Sequence, residues 1–407
     1  MTATDLRTDP EQPLPGPPDP WAETDMPSRR DGPPFHMTEM IEAEPALAER
    51  LLERLGDPSS AAAGLAEQIR ATAFRGGAIL VTGCGTSEHA ALATAEILRE
   101  AMRAAGLPWR LGEAGSPVAV QAFEGSLEDQ LGAGGLLIGI SHEGGTWATR
   151  AALEQARRSG GAVGLITVSD RSPAGRLADI TVATDELDQS WCHTIGYLAP
   201  ILAATAIAGH VTGSAVDPGA VRGILAAGLT TDAVASAERL ARELSQVAHV
   251  VVVGSGMDRI AGRELALKLE EGVHLPATVR DLETLLHGHL AGMDGRTGVV
   301  FVLTDPRQAA ARTGRAAGAL RACQAIGAMA GAILSETSIE AIPAELTPAG
   351  RMITPGGGDL PPVVASLLAS AVPLQLLTER LARERGVNPD PIRRDDPAYL
   401  RAADSVG

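Results

Sequence analysis

Apolar and polar positions fall into a repeating block pattern along the chain. Runs of about five apolar residues end in Gly- or Ser-rich turns, and each turn opens a stretch with apolar residues at helical spacing. Ala78–Thr82 (AILVT) runs into Gly83-Cys84-Gly85-Thr86-Ser87 and a predicted helix to about Ala105. Leu136–Ile140 (LLIGI) runs into Ser141-His142-Glu143-Gly144-Gly145-Thr146 and a predicted helix to about Arg158. Ala162–Val168 and Ile180–Ala183 read as two further strands, and Glu186–His193 leads into an apolar helix. The pattern restarts at His249–Val253 (HVVVV), followed by Gly254-Ser255-Gly256 and a helix ending near Gly272. Gly298–Leu303 predicts another strand, and Ala332–Leu334 with Ile339–Ile342 are expected to complete the sheet.

Near-continuous apolar strands alternating with helices specify parallel strands covered on both faces. The pattern occurs twice, so the predicted fold class is α/β with two similar units. Residues 1–44 are rich in Pro and acidic residues and are expected to form a disordered arm. The first unit is expected over 45–215, a helical connection over 216–247, the second unit over 248–385, and a tail over 386–407. Helical patterns at Pro45–Leu55 and Ala61–Thr72 precede the first strand.

Composition narrows the classes of function. The 407 residues carry 34 basic and 50 acidic side chains, a net charge of −16, with no basic stripe for a duplex. Only 2% are aromatic, too few for a base-stacking platform. Three scattered cysteines (Cys84, Cys192, Cys323) make neither a disulfide framework nor an all-cysteine zinc site. No uninterrupted apolar run of about 18 residues predicts a membrane span. The N-terminal sequence lacks the apolar core of a signal peptide. The expectation is a soluble cytoplasmic protein without nucleic-acid or membrane partners.

One residue stands apart: Lys268 is the sole lysine in a chain that otherwise uses arginine as its cation. An ammonium is a compact charge with a tunable pKa, which a guanidinium cannot replace. Glu264, Lys268 and Glu271 lie at i, i+4 and i+7 and share a helix face. A solvated salt-bridge stripe is the plain alternative. However, Leu265, Ala266, Leu267 and Leu269 make the rest of the helix apolar, so the stripe is expected to line a cleft. A carboxylate held there beside an ammonium is a candidate general base.

The two turns 83–87 and 141–146 offer glycines, hydroxyls and helix N-termini, a combination suited to an anion. Ordinary caps also use Ser and Thr; two such turns in one unit favour the anion. A dinucleotide fingerprint fails, because its third glycine falls on Glu88 in the first unit and on Arg259 in the second. His287 and His289 alternate in LLHGHLAG, but no third metal ligand is evident. Trp191-Cys192-His193 places a thiol beside an imidazole, although adjacency in sequence alone does not make a nucleophile–base pair.

Taken in order over about residues 75–400, these segments resemble the SIS (sugar isomerase) family, in pattern the isomerase half of glucosamine-6-phosphate synthases. GCGTS (83–87) is similar to that family's first loop, and SHEGGT (141–146) stands where it has an SxSGxT phosphate loop. RELALKLEE (263–271) and LHGHLAGMD (286–294) are similar to its second-domain helix and HGPLALID segment. The resemblance implies two flavodoxin-like, three-layer αβα domains and a homodimer with shared active sites. It implies a sugar or sugar-phosphate substrate and neither metal nor organic cofactor. By position, Ser87, Ser141, His142 and Thr146 would hold the phosphate, with Cys84, Gly85, Thr86, Glu143 and His193 nearby. Glu271 would be the general base, Glu264 and Lys268 its supporting pair, and His287 a ring-opening histidine supplied by the neighbouring subunit.

The departures are specific. Glu143 replaces the second phosphate-loop serine, and a carboxylate repels a phosphate. Trp191-Cys192-His193 replaces a Ser-Thr-Lys loop, His289 replaces the proline of HGP, and DPIRRDDPAY (390–399) lacks the family's C-terminal lysine. Arg393 or Arg394 supplies charge only. With no glutaminase segment before residue 75, glutamine-driven amination by this chain alone is not expected. The implied activity is aldose–ketose isomerisation of a phosphosugar, or a related amino-sugar-phosphate deaminase or deglycase reaction. The alternatives are the same chemistry on an unphosphorylated sugar and a non-catalytic sugar-phosphate sensor.

Overall fold

A computed structural model describes residues 9–16, 29–108 and 116–405. Two helices, α1 (His36–Leu55) and α2 (Ala61–Phe74), precede β1 (Ile79–Gly83) and α3 (Thr86–Ala104). Then follow β2 (Val118–Gln121), α4 (Ala122–Leu127), β3 (Leu136–Ile140), α5 (Trp147–Arg158), β4 (Ala162–Thr167), β5 (Ile180–Ala183) and α6 (Ile195–Thr212). Helices α7 (Pro218–Ala227) and α8 (Thr231–Leu244) lead to β6 (His249–Gly254), α9 (Asp258–Val273), β7 (Ala277–Asp281) and α10 (Leu282–Leu285). The chain continues through β8 (Thr297–Leu303), α11 (Ala309–Ala325), β9 (Met329–Ser335), β10 (Gly350–Thr354), α12 (Pro362–Glu384) and α13 (Pro397–Asp404).

Among the described residues, all ten strands pair in parallel, in two five-stranded sheets of order β2-β1-β3-β4-β5 and β10-β9-β8-β6-β7. Counted from its own first strand, each sheet has the order 2-1-3-4-5 of doubly wound folds. Alternation along the strands divides the burial. In β3, Leu136, Ile138 and Ile140 join the main core, while Leu137 packs with Leu153 of α5 on the other face. In β6, Val250 and Val252 join that same main core, while Val251 and Val253 pack with Leu320 of α11. One apolar core thus runs between the sheets through α1, α3, α6, α9 and α12, and each sheet carries a smaller core on its outer face.

Three sequence expectations are corrected. Residues 36–44, assigned to the disordered arm, are the start of α1, and most of them are buried. Pro45 suggests a helix start because proline suits the first turn, yet it lies inside α1. The real start is fixed from far away: the Asp390 carboxylate accepts the backbone N–H groups of His36 (2.8 Å) and Met37 (2.9 Å). Residues 9–16 also pack, with Leu14 buried, its N–H on Glu186, and Arg50 bonded to the same carboxylate. The rest of the arm, 1–8 and 17–28, lies outside the described residues. Finally, 339–342 is not a strand; β10 closes the second sheet. Strands β2, β7 and β10 escape the pattern because they are sheet edges, part-exposed and without a continuous apolar run.

Helices α6 and α12 are long and apolar enough to cross a membrane by length and composition. Inside the protein, however, 89% and 94% of those windows are buried, as central core helices.

Candidate active site

In this strand order the chain moves one way from β1 to β2 and the other way from β3 onward. Ligands bind beyond the strand ends where the direction reverses, here between β1 and β3. The two glycine-rich turns leave those neighbouring strands side by side. Gly85 caps α3 with φ +58° and ψ −128°, a conformation open mainly to glycine. Gly144 has φ +73°, and a Cβ there would meet Ser172 Oγ at 2.2 Å. The first turn is held against α5 by the Thr149 hydroxyl, 3.8 Å from Cys84 Sγ. Ser87 and Thr146 sit at the starts of α3 and α5, and Thr146 makes no side-chain cap bond.

Not every residue of these turns presents its side chain to the crevice. Ser141 is buried, its hydroxyl accepting the Gly144 N–H (3.2 Å). His142 is buried too, with Nε2 accepting the Asp188 N–H at 2.9 Å, and burial drives its pKa down to about 4. It is a neutral acceptor, so its imidazole brings no positive charge to an anion. His193 packs against it, ring centroids 5.0 Å apart, and burial followed by the charges around it holds its pKa well below normal. Burial raises the thiol pKa of Cys84, and that of buried Cys192 well above normal, so neither is an activated nucleophile.

Thr86 crosses between the units. Its hydroxyl accepts from Lys268 Nζ (2.8 Å) and donates to Glu264 Oε1 (3.2 Å), so it serves the charged face of α9, away from the anion turns. That face is a connected chain. His89 Nδ1 is 2.6 Å from Glu264 Oε2, Lys268 Nζ is 3.3 Å from Glu264 Oε1, and Lys268 Nζ is 2.7 Å from Glu271 Oε2. Glu264 and Lys268 are fully buried, while Glu271 keeps 24% of its side chain exposed. Burial opposes charge at Lys268, but Glu264 and Glu271 outweigh it and raise its pKa. Burial likewise opposes the Glu264 carboxylate, and Lys268 and His89 outweigh it and lower its pKa. Glu271 borders a cleft of about 460 Å³ shared with His274, Arg393 and Tyr399.

Spacing along α9 brings Glu264, Lys268 and Glu271 together as expected, and all but one of the other predicted residues lie in the two turns and the 190–193 loop facing them. The exception is His287. It is 70% exposed and 2.8 Å from Glu283, which is also held by Arg315, just after α10, which packs with α11 in the smaller core of the second sheet. Arg315 and His287 keep the Glu283 carboxyl down at about 2. His289 is exposed in the next turn. Among the described residues, no group of three or more His, Cys, Asp or Glu is arranged to hold a metal.

Two site residues escape the motif search. His89 lies one turn beyond Thr86, and i, i+3 spacing on α3 is the signal that finds it. Asp188 is buried and takes the N–H groups of Ser190 (3.1 Å), Thr194 (2.7 Å) and Gly196 (3.1 Å), shaping the 190–193 loop. Burial, partly offset by those bonds, raises its pKa to about 6. Nothing in the local sequence marks it.

Known structures share this architecture. The chain superposes on the C-terminal domain of glucosamine-fructose-6-phosphate aminotransferase from Francisella tularensis with TM-score 0.73, covering 89% of this chain and 99% of that one at 20% identity. This is the fold of the sugar isomerase (SIS) family. A tagatose-6-phosphate ketose/aldose isomerase from Escherichia coli gives TM-score 0.69 at 18% identity, covering 90% and 98% of the two chains. A glucosamine-6-phosphate deaminase from Thermotoga maritima gives 0.61 at 16% identity, covering 88% and 97%. In sequence, the SIS-fold chain is 25% identical over 391 residues to a glutamine–fructose-6-phosphate aminotransferase of Gloeobacter violaceus. That match takes in 88% of this chain but only 57% of the relative's length. No family model matches the chain.

Proposed function

We propose that this chain is a phosphosugar aldose–ketose isomerase, or a related amino-sugar-phosphate deaminase or deglycase, with Glu271 as general base. One observation carries the proposal: of Glu264, Lys268 and Glu271, which share one face of α9, the first two are sealed in the core while Glu271 reaches a cleft, held 2.7 Å from Lys268. The names of the relatives, which include a ketose/aldose isomerase and an amino-sugar-phosphate deaminase, support the substrate class.

The phosphate end of the substrate lies at the N-termini of α3 and α5, beside the free N–H groups, the half-buried Ser87 and the exposed Thr146. Glu271 takes a proton from the carbon beside the carbonyl, leaving an enediolate whose charge is stabilised by Lys268. Transfer of the hydroxyl proton to the other oxygen of the enediolate, with return of the carbon-bound proton to the neighbouring carbon, completes the isomerisation. His287 belongs to this scheme only through a second copy of the chain, which makes a homodimer with shared sites part of the proposal. No cofactor enters these steps.

Glu143 favours a second reading, in which the substrate has a hydroxyl or amine where the phosphate would lie. A thermal-shift panel of phosphorylated and free hexoses, pentoses and amino sugars, with inorganic phosphate as control, separates the two. Ligand at about a hundredfold over its Kd adds about 2.7 kcal/mol, an easily read shift. The stabilising sugar is then incubated in deuterated water. Wild type is expected to exchange the proton at the reacting carbon, and Glu271→Gln to lose that exchange by about 10²–10⁴-fold while still binding. Full exchange in Glu271→Gln would remove Glu271 from the mechanism.

A further inference from the structure

We infer that His274 is a second catalytic residue at the Glu271 cleft, carrying the proton that has to pass between the two substrate oxygens during isomerisation. The inference rests on the phosphosugar reading with Glu271 as base and names the group that completes its proton transfers.

The need for such a group follows from the chemistry. Moving a carbonyl along a sugar chain transfers one proton between carbons and another between oxygens, and Glu271 accounts only for the first. Lys268 does not account for the second. Its ammonium has three N–H donors, engaged by Thr86 Oγ1 (2.8 Å), Glu264 Oε1 (3.3 Å) and Glu271 Oε2 (2.7 Å). The two carboxylates hold it protonated against its burial. His142 Nε2 is committed to the Asp188 N–H, and His287 does not line this cleft.

His274 does line it, on the same cleft of about 460 Å³ as Glu271 and three positions further along the chain. Its backbone N–H closes the last turn of α9 on the Leu269 carbonyl, and its φ of +55° turns the chain out of the helix. Glycine usually takes that left-handed position, as Gly213 does at the end of α6 with φ +74°. A histidine there accepts backbone strain that glycine would avoid. The facing wall of the cleft is strained in the same way. Among the described residues five that are not glycine have positive φ, and three of them, His274, Ile392 (+42°) and Arg393 (+61°), line this one cleft. Such strain persists where the surroundings enforce it and gathers at functional positions. The tail wall is held by Asp390, whose carbonyl accepts the Trp191 N–H (3.0 Å) and whose carboxylate meets the start of α1.

The imidazole suits the task. It is half-buried, and its Nε2 is buried without a hydrogen-bond partner among the described residues. Burial and then Arg393 hold its pKa below the ordinary value, with Asp395 opposing them and Arg385 adding to them. A neutral imidazole keeps one N–H and acts on a carbonyl as an electrophile. The steps then balance. Once Glu271 has taken the carbon proton, the enediolate oxygen takes the His274 N–H proton, and the same nitrogen takes the proton of the neighbouring hydroxyl. The negative charge has moved from one oxygen to the other, and Glu271 returns its proton to the other carbon as the new carbonyl forms. Both residues end as they began.

The test uses fructose 6-phosphate, tagatose 6-phosphate and ribulose 5-phosphate in deuterated water, with conversion and deuterium in recovered substrate measured together. The variants are His274→Gln and His274→Gly. Glycine suits the left-handed position, so His274→Gly is expected to match wild type in Tm. In both variants conversion is expected to fall by about 10²-fold or more. Deuterium entering recovered substrate is expected to fall by less than about tenfold, because Glu271 still takes and returns the carbon proton. The ratio of exchange to conversion therefore rises, and that ratio does not depend on how much of a variant folds. Imidazole added to His274→Gly is expected to restore part of the conversion.

Unchanged conversion, or exchange and conversion falling together, overturns the inference. The phosphosugar reading survives that result where Glu271→Gln loses exchange. Wild type that exchanges none of the three sugars overturns both.

Discussion

The two sheets share one strand order, yet the crevices at their reversal points have opposite contents. In the first, the turns after β1 and β3 offer glycines and hydroxyls with a single carboxylate, Glu143. In the second, between β6 and β8, the protein has filled the place itself. Asp258 at the start of α9 takes the Thr304 N–H (3.0 Å), the Thr304 hydroxyl (2.6 Å) and the Asp305 N–H (3.2 Å). Asp305 in turn accepts the Met257 N–H and pairs with Arg307 and Arg312. A helix N-terminus draws negative charge; in the second sheet the protein's own carboxylates stand there, and in the first the proposed phosphate would. The second unit contributes instead from the middle of α9. Shared topology therefore does not imply shared function; the loop residues decide it.

The largest expected effect tests how α9 serves the first crevice. Lys268→Met leaves Glu264 fully buried without its ammonium, and a loss of about 3–5 kcal/mol of stability is expected by chemical denaturation. Adding Glu264→Gln is expected to recover part of that loss. If Lys268→Met alone is as stable as wild type, the buried chain of charges is not what holds α3 to α9.

A second measurement probes the filled crevice. Burial pushes the Asp258 carboxyl up to about 7 from 3.8, against the bonds from Thr304 and Asp305. A raised carboxyl pKa means its contribution to stability is complete below about pH 4 and is lost as pH rises towards about 7. That slope is expected to amount to about 2–4 kcal/mol. Asp258→Asn should flatten the fall in Tm over this window, and an unchanged slope would place the titration elsewhere.

The smallest effect is the most direct contrast. Ser87→Ala removes one hydroxyl from the open crevice and is expected to weaken phosphate-ligand binding by about 1 kcal/mol, or fivefold. Ser255→Ala, in the corresponding turn of the second sheet, is expected to leave binding unchanged. Equal effects would mean that both crevices take ligand.

Much of this comparison was legible in the sequence, for identifiable reasons. Central strands are buried on both faces and announce themselves as apolar runs, as LLIGI and HVVVV do. Glu264, Lys268 and Glu271 lie on one helix, where spacing alone fixes a shared face. Edge strands such as β7 (ATVRD) are held by a partner's hydrogen bonds more than by their own side chains, so their pattern is faint. Side-chain direction within a turn is also hidden: nothing in SHEGGT says that His142 faces inward to Asp188, or in GCGTS that Thr86 reaches across to Lys268. Those directions depend on groups dozens to hundreds of positions away.

The bond between Asp390 and the start of α1 has a consequence in time. Its two partners are 354 positions apart in sequence. During synthesis at ~5–20 residues per second, roughly 18–70 s pass between the emergence of His36 and that of Asp390. For that interval the first turn of α1 lacks the carboxylate that meets its free N–H groups, and the Trp191 loop lacks the tail that pins it. All ten described strands, the last ending at Thr354, are made before either contact exists, but the core helix α12 that packs between the sheets ends at Glu384, only six residues before Asp390. The 390s corner therefore closes together with the last core helix, after the proposed site residues have all been made.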